Sequence, residues 1–483
     1  MRLLVRARGV LGHPGSNSIL IEDGTVAAIG PSTRMEAEVE VIDHETGVIV
    51  PALHDHHFHP IGYASTVTGL SVKNAVGLDD LLSRLRAEAD LLGPGEALVA
   101  NRLDEERLQE RRLPSRVDLD AAVPERAVLL YRYCGHVAVA NTAALNLAGL
   151  DGDGILREDL IQPVSNAVSR ARPVLKSEAV SRALAGLPGL GLGRITAIVS
   201  VGEPLWCGVG DEIETLQTVA ASLPMDFETL VIASSPRELE VAADRLSGGP
   251  PNVTFLGWKD FSDGSLGGRT AALHEPYSDD QGTKGVLRLD PDHARLMADA
   301  CLGLGGTVAI HAIGDEANDR VLDVFEVAVG HGADPARLRI EHASVLAPGA
   351  IGRMAALGIT ASVQPAFLAS EEGWLTKRLG PRVARTYCFE QLAAAGVPLV
   401  GGSDCPVEPP NPWGGISAAA IQGGLGPERA LGLFGLPLAP GTTANFLIVD
   451  GNPGVASELA GMRVIAAYRQ GRPLSLVEEM PFS

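Results

Sequence analysis

The densest chemistry in the chain lies in His54-Asp55-His56-His57-Phe58-His59, which holds four histidines and a carboxylate. An apolar run at 47–50 precedes it and reads as a β-strand. On extended backbone, side chains alternate faces, so Asp55, His57 and His59 point one way and His54 and His56 the other. Imidazoles two residues apart are about 6.6 Å apart at the backbone. Both rings can therefore converge on one metal ion, with Asp55 behind them as an orienting partner. The competing reading is a solvated, His-rich loop. Partners elsewhere in the chain must decide between the two.

The elements that would supply those partners follow from pattern. After the strand at 47–50, apolar runs at 195–201, 226–233, 253–261, 307–313, 338–343, 359–364 and 398–402 read as further strands, with helical patterns between several of them. Eight strands alternating with helices predict an α/β fold, a (β/α)8 barrel, whose chemistry sits at the carboxyl ends of the strands. Residues 1–48 read as short strands with an Asp23-Gly24 hairpin signal. Residues 438–483 supply more strands, so the two termini are expected to combine into a small β-sandwich. The barrel then spans 49–437, and 61–193, after the first barrel strand, is too long for a loop and reads as an insertion.

At the predicted strand ends stand Lys259, His311, His342 and Asp404. Together with His57 and His59, ligand-type residues close five of eight strands at the end where a barrel places its site. Each has another explanation. Lys259 would pair with Asp263, His311 and His342 would be hydrogen-bonded core residues, and Asp404 would cap a helix. His54 and His56, on the opposite face, are assigned structural roles. His136, Arg269, Gln364, Trp374 and Trp413 lie in inserted or strand-end loops and are candidates for a substrate pocket, or for ordinary packing.

Composition narrows the classes. A formal net charge of −20 argues against nucleic acid or anionic membrane partners. The five cysteines form no CxxC pair, which fits a reducing compartment. No apolar run reaches 18 residues and the start has no continuous hydrophobic stretch, so a cytoplasmic protein is expected, with a small-molecule substrate. A homo-oligomer remains open.

The motifs resemble the amidohydrolase superfamily of metal-dependent hydrolases, in the branch of N-substituted formamide deformylase. The likeness is carried by P-x-x-x-D-x-H-x-H at Pro51, Asp55, His57 and His59, by WKDFSDGSLGGRTAAL, AIHAIGD, RIEHA and GGSDCPV, and by the inserted LPSRVDLDAAVPERAVLLYRYCGHVAVANTAAL. Ala52 departs from it, standing where the family usually has glycine. The resemblance implies a divalent metal, zinc first, as one or two ions. His57 and His59 would bind the more buried ion, with Asp404 completing that site and acting as base. Lys259, if N-carboxylated, would bridge to a second ion held by His311 and His342. The implied reaction is hydrolysis of a non-peptide, amide-like C–N bond. Deamination or ester and lactone hydrolysis on the same metals is the alternative. A non-catalytic scaffold would be expected to have lost ligands, and all six are present.

Overall fold

The computed structural model describes residues 2–32, 39–171, 175–202 and 211–476. Its centre is a sheet of eight parallel strands: β1 (Leu53–Phe58), β2 (Leu192–Ser200), β3 (Asp226–Ile232), β4 (Val253–Phe261), β5 (Thr307–Ala312), β6 (Leu338–His342), β7 (Thr360–Val363) and β8 (Leu399–Gly401). Neighbours in sequence are neighbours in the sheet, as βα units require. Between β8 and β1 there is no regular ladder. Closure is made by the backbone of the strand ends: the Asp404 N–H donates to the His57 carbonyl at 2.8 Å, and the His59 N–H to the Cys405 carbonyl at 2.8 Å. A Cβ on Gly402 would lie 2.6 Å from the His57 nitrogen, so glycine is what lets the two chains approach.

The outer helices follow ordinary rules. In Pro236–Ser247, Ser235 accepts a hydrogen bond from the Glu238 N–H, proline opens the first turn, and Leu239, Ala242, Ala243 and Leu246 are buried at helical spacing. Inside the barrel a small apolar plug of Ile198, Leu230 and Ala309 is buried. Toward the carboxyl ends the lining turns polar, with Arg339 and Glu341 buried on β6.

The run at 47–50 is not the first barrel strand. It belongs to Glu40–Pro51, which pairs parallel with Arg2–Val10 and antiparallel with Phe446–Asp450. Its Val48, Ile49 and Val50 are buried because the strand is central in the terminal sheet. The barrel strand is the histidine-rich segment itself, whose polarity hides it from a search for apolar runs. The two termini meet in a single seven-stranded sheet that wraps one core of Leu3, Val5, Ile19, Ile21, Phe446 and Ile448 among others. A Thr25–Thr443 bridge links strand neighbourhoods far apart in that sheet order. Asp23 and Gly24, both at positive φ, form the expected hairpin turn.

Between β1 and β2 lies a second α/β layer, a five-stranded sheet in the order Ile155–Arg157, Val137–Ala140, Val128–Arg132, Leu98–Leu103, Leu70–Ser71. Separate apolar clusters cover its two sides. Leu98–Leu103 and Val128–Arg132 run parallel, so their carboxyl ends emerge together. No described helix is long and apolar enough to cross a membrane. Cys134, Cys301, Cys388 and Cys405 are free and buried, and Cys207 lies outside the described residues.

Candidate metal centre

The carboxyl ends of β1, β5, β6 and β8 bring four imidazoles and a carboxylate together. Asp404 Oδ1 lies 3.2 Å from His57 Nε2 and 3.3 Å from His59 Nε2, and Asp404 Oδ2 lies 4.0 Å from His342 Nε2. His57, His59 and Asp404 each offer a ligand atom within 4.8 Å of the others. The His311 and His342 rings are 4.4 Å apart, and His342 is 5.0 Å from His57. His342 Nδ1 is buried with no hydrogen-bond partner, an orphaned donor or acceptor of the kind a metal ligand leaves behind. His342 and Asp404 also sit at positive φ, a backbone cost of about 1–3 kcal/mol each that clusters at functional sites. This donor set, imidazoles around one carboxylate, fits a divalent cation.

Burial prepares His59, His311 and His342 as neutral ligands, whereas His57 carries charge until a cation displaces its proton. Burial holds the His311 and His342 pKa values well below that of a free imidazole, so both rings are neutral. Burial lowers His59 as well. Burial alone would lower His57, but the Asp404 and Glu341 carboxylates hold it up at about 9. Burial would raise Asp404, yet His57 and His59 keep it well below the usual carboxylate range.

Asp55 meets the segments that carry the ligands through their backbone. Its Oδ1 accepts from the His57 N–H at 3.1 Å and the Ser403 N–H at 2.9 Å, so it ties together the backbones that carry His57 and Asp404 and supports no imidazole. The imidazole partner is Glu341, whose Oε2 takes His57 Nδ1 at 2.6 Å from across the barrel. Strand parity is an unsafe guide because β1 carries a bulge: Asp55 pairs with Ile195 but Phe58 with Ala197. His54 and His56 are not among the candidate ligands or the residues lining the cavity around them. They stack at 3.6 Å, with His54 Nε2 on Thr196 Oγ1 at 3.0 Å, and Arg339 reaches the His56 carbonyl at 2.6 Å.

Lys259 is fully buried at the end of β4. Its Nζ donates to the Asp260 carbonyl at 3.0 Å and sits 3.5 Å above the Phe261 ring, so the anticipated pair with Asp263 does not form. Burial lowers its pKa to about 8. Asp263 instead accepts from the backbone N–H groups of Ala272 (2.8 Å), Ile313 (3.0 Å) and Gly314 (2.7 Å), and lies 3.3 Å from His311 Nε2. It anchors the loop after β4 to the end of β5. Asp263→Asn would turn an amide N–H toward one of those donors and is expected to cost about 1–3 kcal/mol, read by denaturant unfolding.

A model of the amidohydrolase family matches residues 40–433. The chain belongs to the amidohydrolase family. YtcJ of Bacillus subtilis (strain 168) is 30% identical over 430 residues, covering 84% of this chain and 80% of that protein. N-substituted formamide deformylase of Arthrobacter pascens is a distant relative, 23% identical over 516 residues, covering 94% of each. An uncharacterised metal-dependent hydrolase from Pyrococcus horikoshii OT3 superposes with a TM-score of 0.72 at 27% identity, covering 94% of this chain and 98% of that one. Family and neighbours support a hydrolase with a metal centre.

One cavity of this amidohydrolase is lined by His57, His59, His311, His342 and Asp404 together with Asn101, Arg102, Arg132, Tyr133 and His136. Of the proposed pocket residues only His136 lines it. Arg269 is paired with Asp279 at 2.9 Å, Gln364 donates to the Ser362 carbonyl at 3.2 Å, and Trp413 and Trp374 are buried in helices. His136 Nδ1 meets Glu158 Oε2 at 3.0 Å, and its ring is 5.4 Å from His311. Burial would lower its pKa, but Glu158 holds it up at about 9. The sequence reading missed Glu341 and Arg339, although alternating charges in an otherwise apolar strand, Arg-Ile-Glu, signal side chains turned to a barrel interior.

Proposed function

We propose that this chain hydrolyses a non-peptide, amide-like C–N bond with a divalent metal, zinc first, held by His57, His59 and Asp404. The observation that carries the reading is the approach of Asp404 Oδ1 to both His57 Nε2 and His59 Nε2 at 3.2 and 3.3 Å. His311, His342 and Lys259 are assigned to a second ion, with Lys259 serving as a carbamate because an ammonium cannot bind a cation. Its depressed pKa supports this, since only the neutral amine adds carbon dioxide. When bound, the metal supplies Lewis acidity and lowers the pKa of water toward neutrality.

The chain's own residues do the rest. Asp404 Oδ2, the oxygen 4.0 Å from His342 Nε2, takes the proton of the attacking water and returns it to the departing nitrogen. Glu341 holds the proton on His57 Nδ1 and so leaves Nε2 as the ligand nitrogen. Asp55 fixes the Ser403 backbone and with it the aim of Asp404.

A chelator is expected to abolish turnover of a small amide panel, and added zinc to restore it. Activity that survives complete metal removal would overturn the reading.

The metal-free protein should also show a distinctive pH response. His57 and His136 are held near 9, against about 6.5 in an unfolded chain. Their contribution is complete below pH 6.5 and is lost as pH rises toward 9, by about 1 kcal/mol per pH unit for each. Lys259 works in the opposite sense only above about pH 8. The melting temperature of metal-free protein is therefore expected to fall between pH 6.5 and 8, and a flat or rising profile would contradict these assignments.

A further inference from the structure

We propose that Arg132 seats an oxyanion carried by the substrate, so that the bond cleaved belongs to an anionic amide. The inference rests on the hydrolase reading and names the substrate class of that same cavity. Arg132 ends the strand Val128–Arg132 of the inserted sheet, and its side chain is 1% exposed. Its Nε donates to Glu105 Oε2 at 2.8 Å, and its guanidinium lies 4.4 Å over the Tyr133 ring. Both terminal nitrogens, Nη1 and Nη2, are buried with no hydrogen-bond partner.

Two other buried arginines fill their terminal nitrogens: Arg378 places Nη1 on Asp279 and Nη2 on Glu106, its Nε alone being unpartnered. Arg382 places Nε, Nη1 and Nη2 on the carbonyls of Leu379, Glu275 and Pro276. A guanidinium held rigidly by a carboxylate and an aromatic face, with its two-pronged edge unfilled, is shaped for a bidentate oxyanion. Arg132 lines the cavity that also holds His57, His59 and Asp404, and its Nη1 lies close against Gly267 of the loop after β4. A second orphan supports it: Asn101 Nδ2, from the neighbouring strand, is buried without a partner in the same cavity.

Arg132 also lines an adjoining cleft with Arg111, Arg112, Arg157, Arg269 and Lys377, opposed there by Glu105 and Glu106. Arg111, Arg112 and Arg269 are there paired with Glu106, Asp118 and Asp279, so the cleft's surplus positive charge is small and rests on Arg157 and Lys377.

The test compares matched substrates on the metal-loaded enzyme. One pair is N-acetyl amino acids against the same molecules with the carboxylate converted to a carboxamide. The other is N-acetylaminoethyl phosphate against N-acetylethanolamine. At least one anionic member is expected to exceed its neutral partner by about 100-fold in kcat/KM, and which pair shows it identifies the oxyanion. Arg132→Met should collapse that ratio and Arg132→Lys should keep part of it. Equal turnover of both members of both pairs by the wild type would overturn the anion site while leaving the hydrolase reading intact. If no amide is cleaved, calorimetric binding of an N-acetyl amino acid that is lost in Arg132→Met would uphold the anion site and sink the hydrolase reading. Undiminished binding in that variant would place the anion on the metal and overturn the proposal. Should the variants fail to fold, the wild-type ratios decide alone.

Discussion

Asp404→Asn is expected to lower kcat for amide hydrolysis by about 10³-fold, the range lost with a positioned general base. Asn keeps the shape and tolerates the positive φ of this position, so the backbone closure between Asp404 and His57 survives. What disappears is the charge that draws three imidazoles together and the oxygen that carries the proton. His57 loses one of the two carboxylates that hold up its pKa. Steady-state kinetics beside a metal assay separates the two effects. Metal retained with activity lost assigns Asp404 chiefly to proton transfer, and metal lost with activity assigns it chiefly to ligation. Near-normal turnover would remove it from the mechanism.

Glu341→Gln is expected to act as strongly through stability. Glu341 is fully buried and accepts from His57 Nδ1 at 2.6 Å and from Arg339 Nε, which bonds to it very closely. Burial would raise its pKa, but Arg339 and His57 keep it far below the usual carboxylate range. Removing that charge leaves Arg339 buried without its counterion, a change that costs about 3–5 kcal/mol when one partner of a buried pair is deleted. The same substitution unsettles the proton on His57 Nδ1, and metal affinity is expected to fall about 10–100-fold. Denaturant unfolding and metal titration check the two effects. An unchanged midpoint would show that the cross-barrel pair is not what stabilises this interior.

The reach of the sequence is clearest where local pattern and chemistry coincide. His311 and His342 end apolar strands, and strand ends of a parallel barrel share one face, so residue type and position together sufficed to group them. The first strand failed that test because HDHHF is polar, and the apolar run before it serves the terminal sheet instead. Parity along the first strand is an unsafe guide for a different reason. A bulge is set by the register against β2, which no single strand reveals. Glu341 touches His57 from a strand 284 positions away in sequence, and only closure of the barrel brings them together. Arg269 and Trp413 were chosen for their place in inserted or strand-end loops, and the structure engages them elsewhere, Arg269 on Asp279 and Trp413 within a helix. The cavity wall comes instead from the carboxyl ends of the inserted strands, which a reading of that segment as an insertion did not orient.

The most direct test of the account is the divalent metal content of purified protein, measured per chain alongside amide turnover, for the wild type and for His57→Asn with His59→Asn. The account predicts one or two ions per wild-type chain, turnover that scales with occupancy, and loss of both in the double variant. A wild-type chain that binds no divalent metal when zinc is supplied, or a double variant with full metal and full activity, would contradict it.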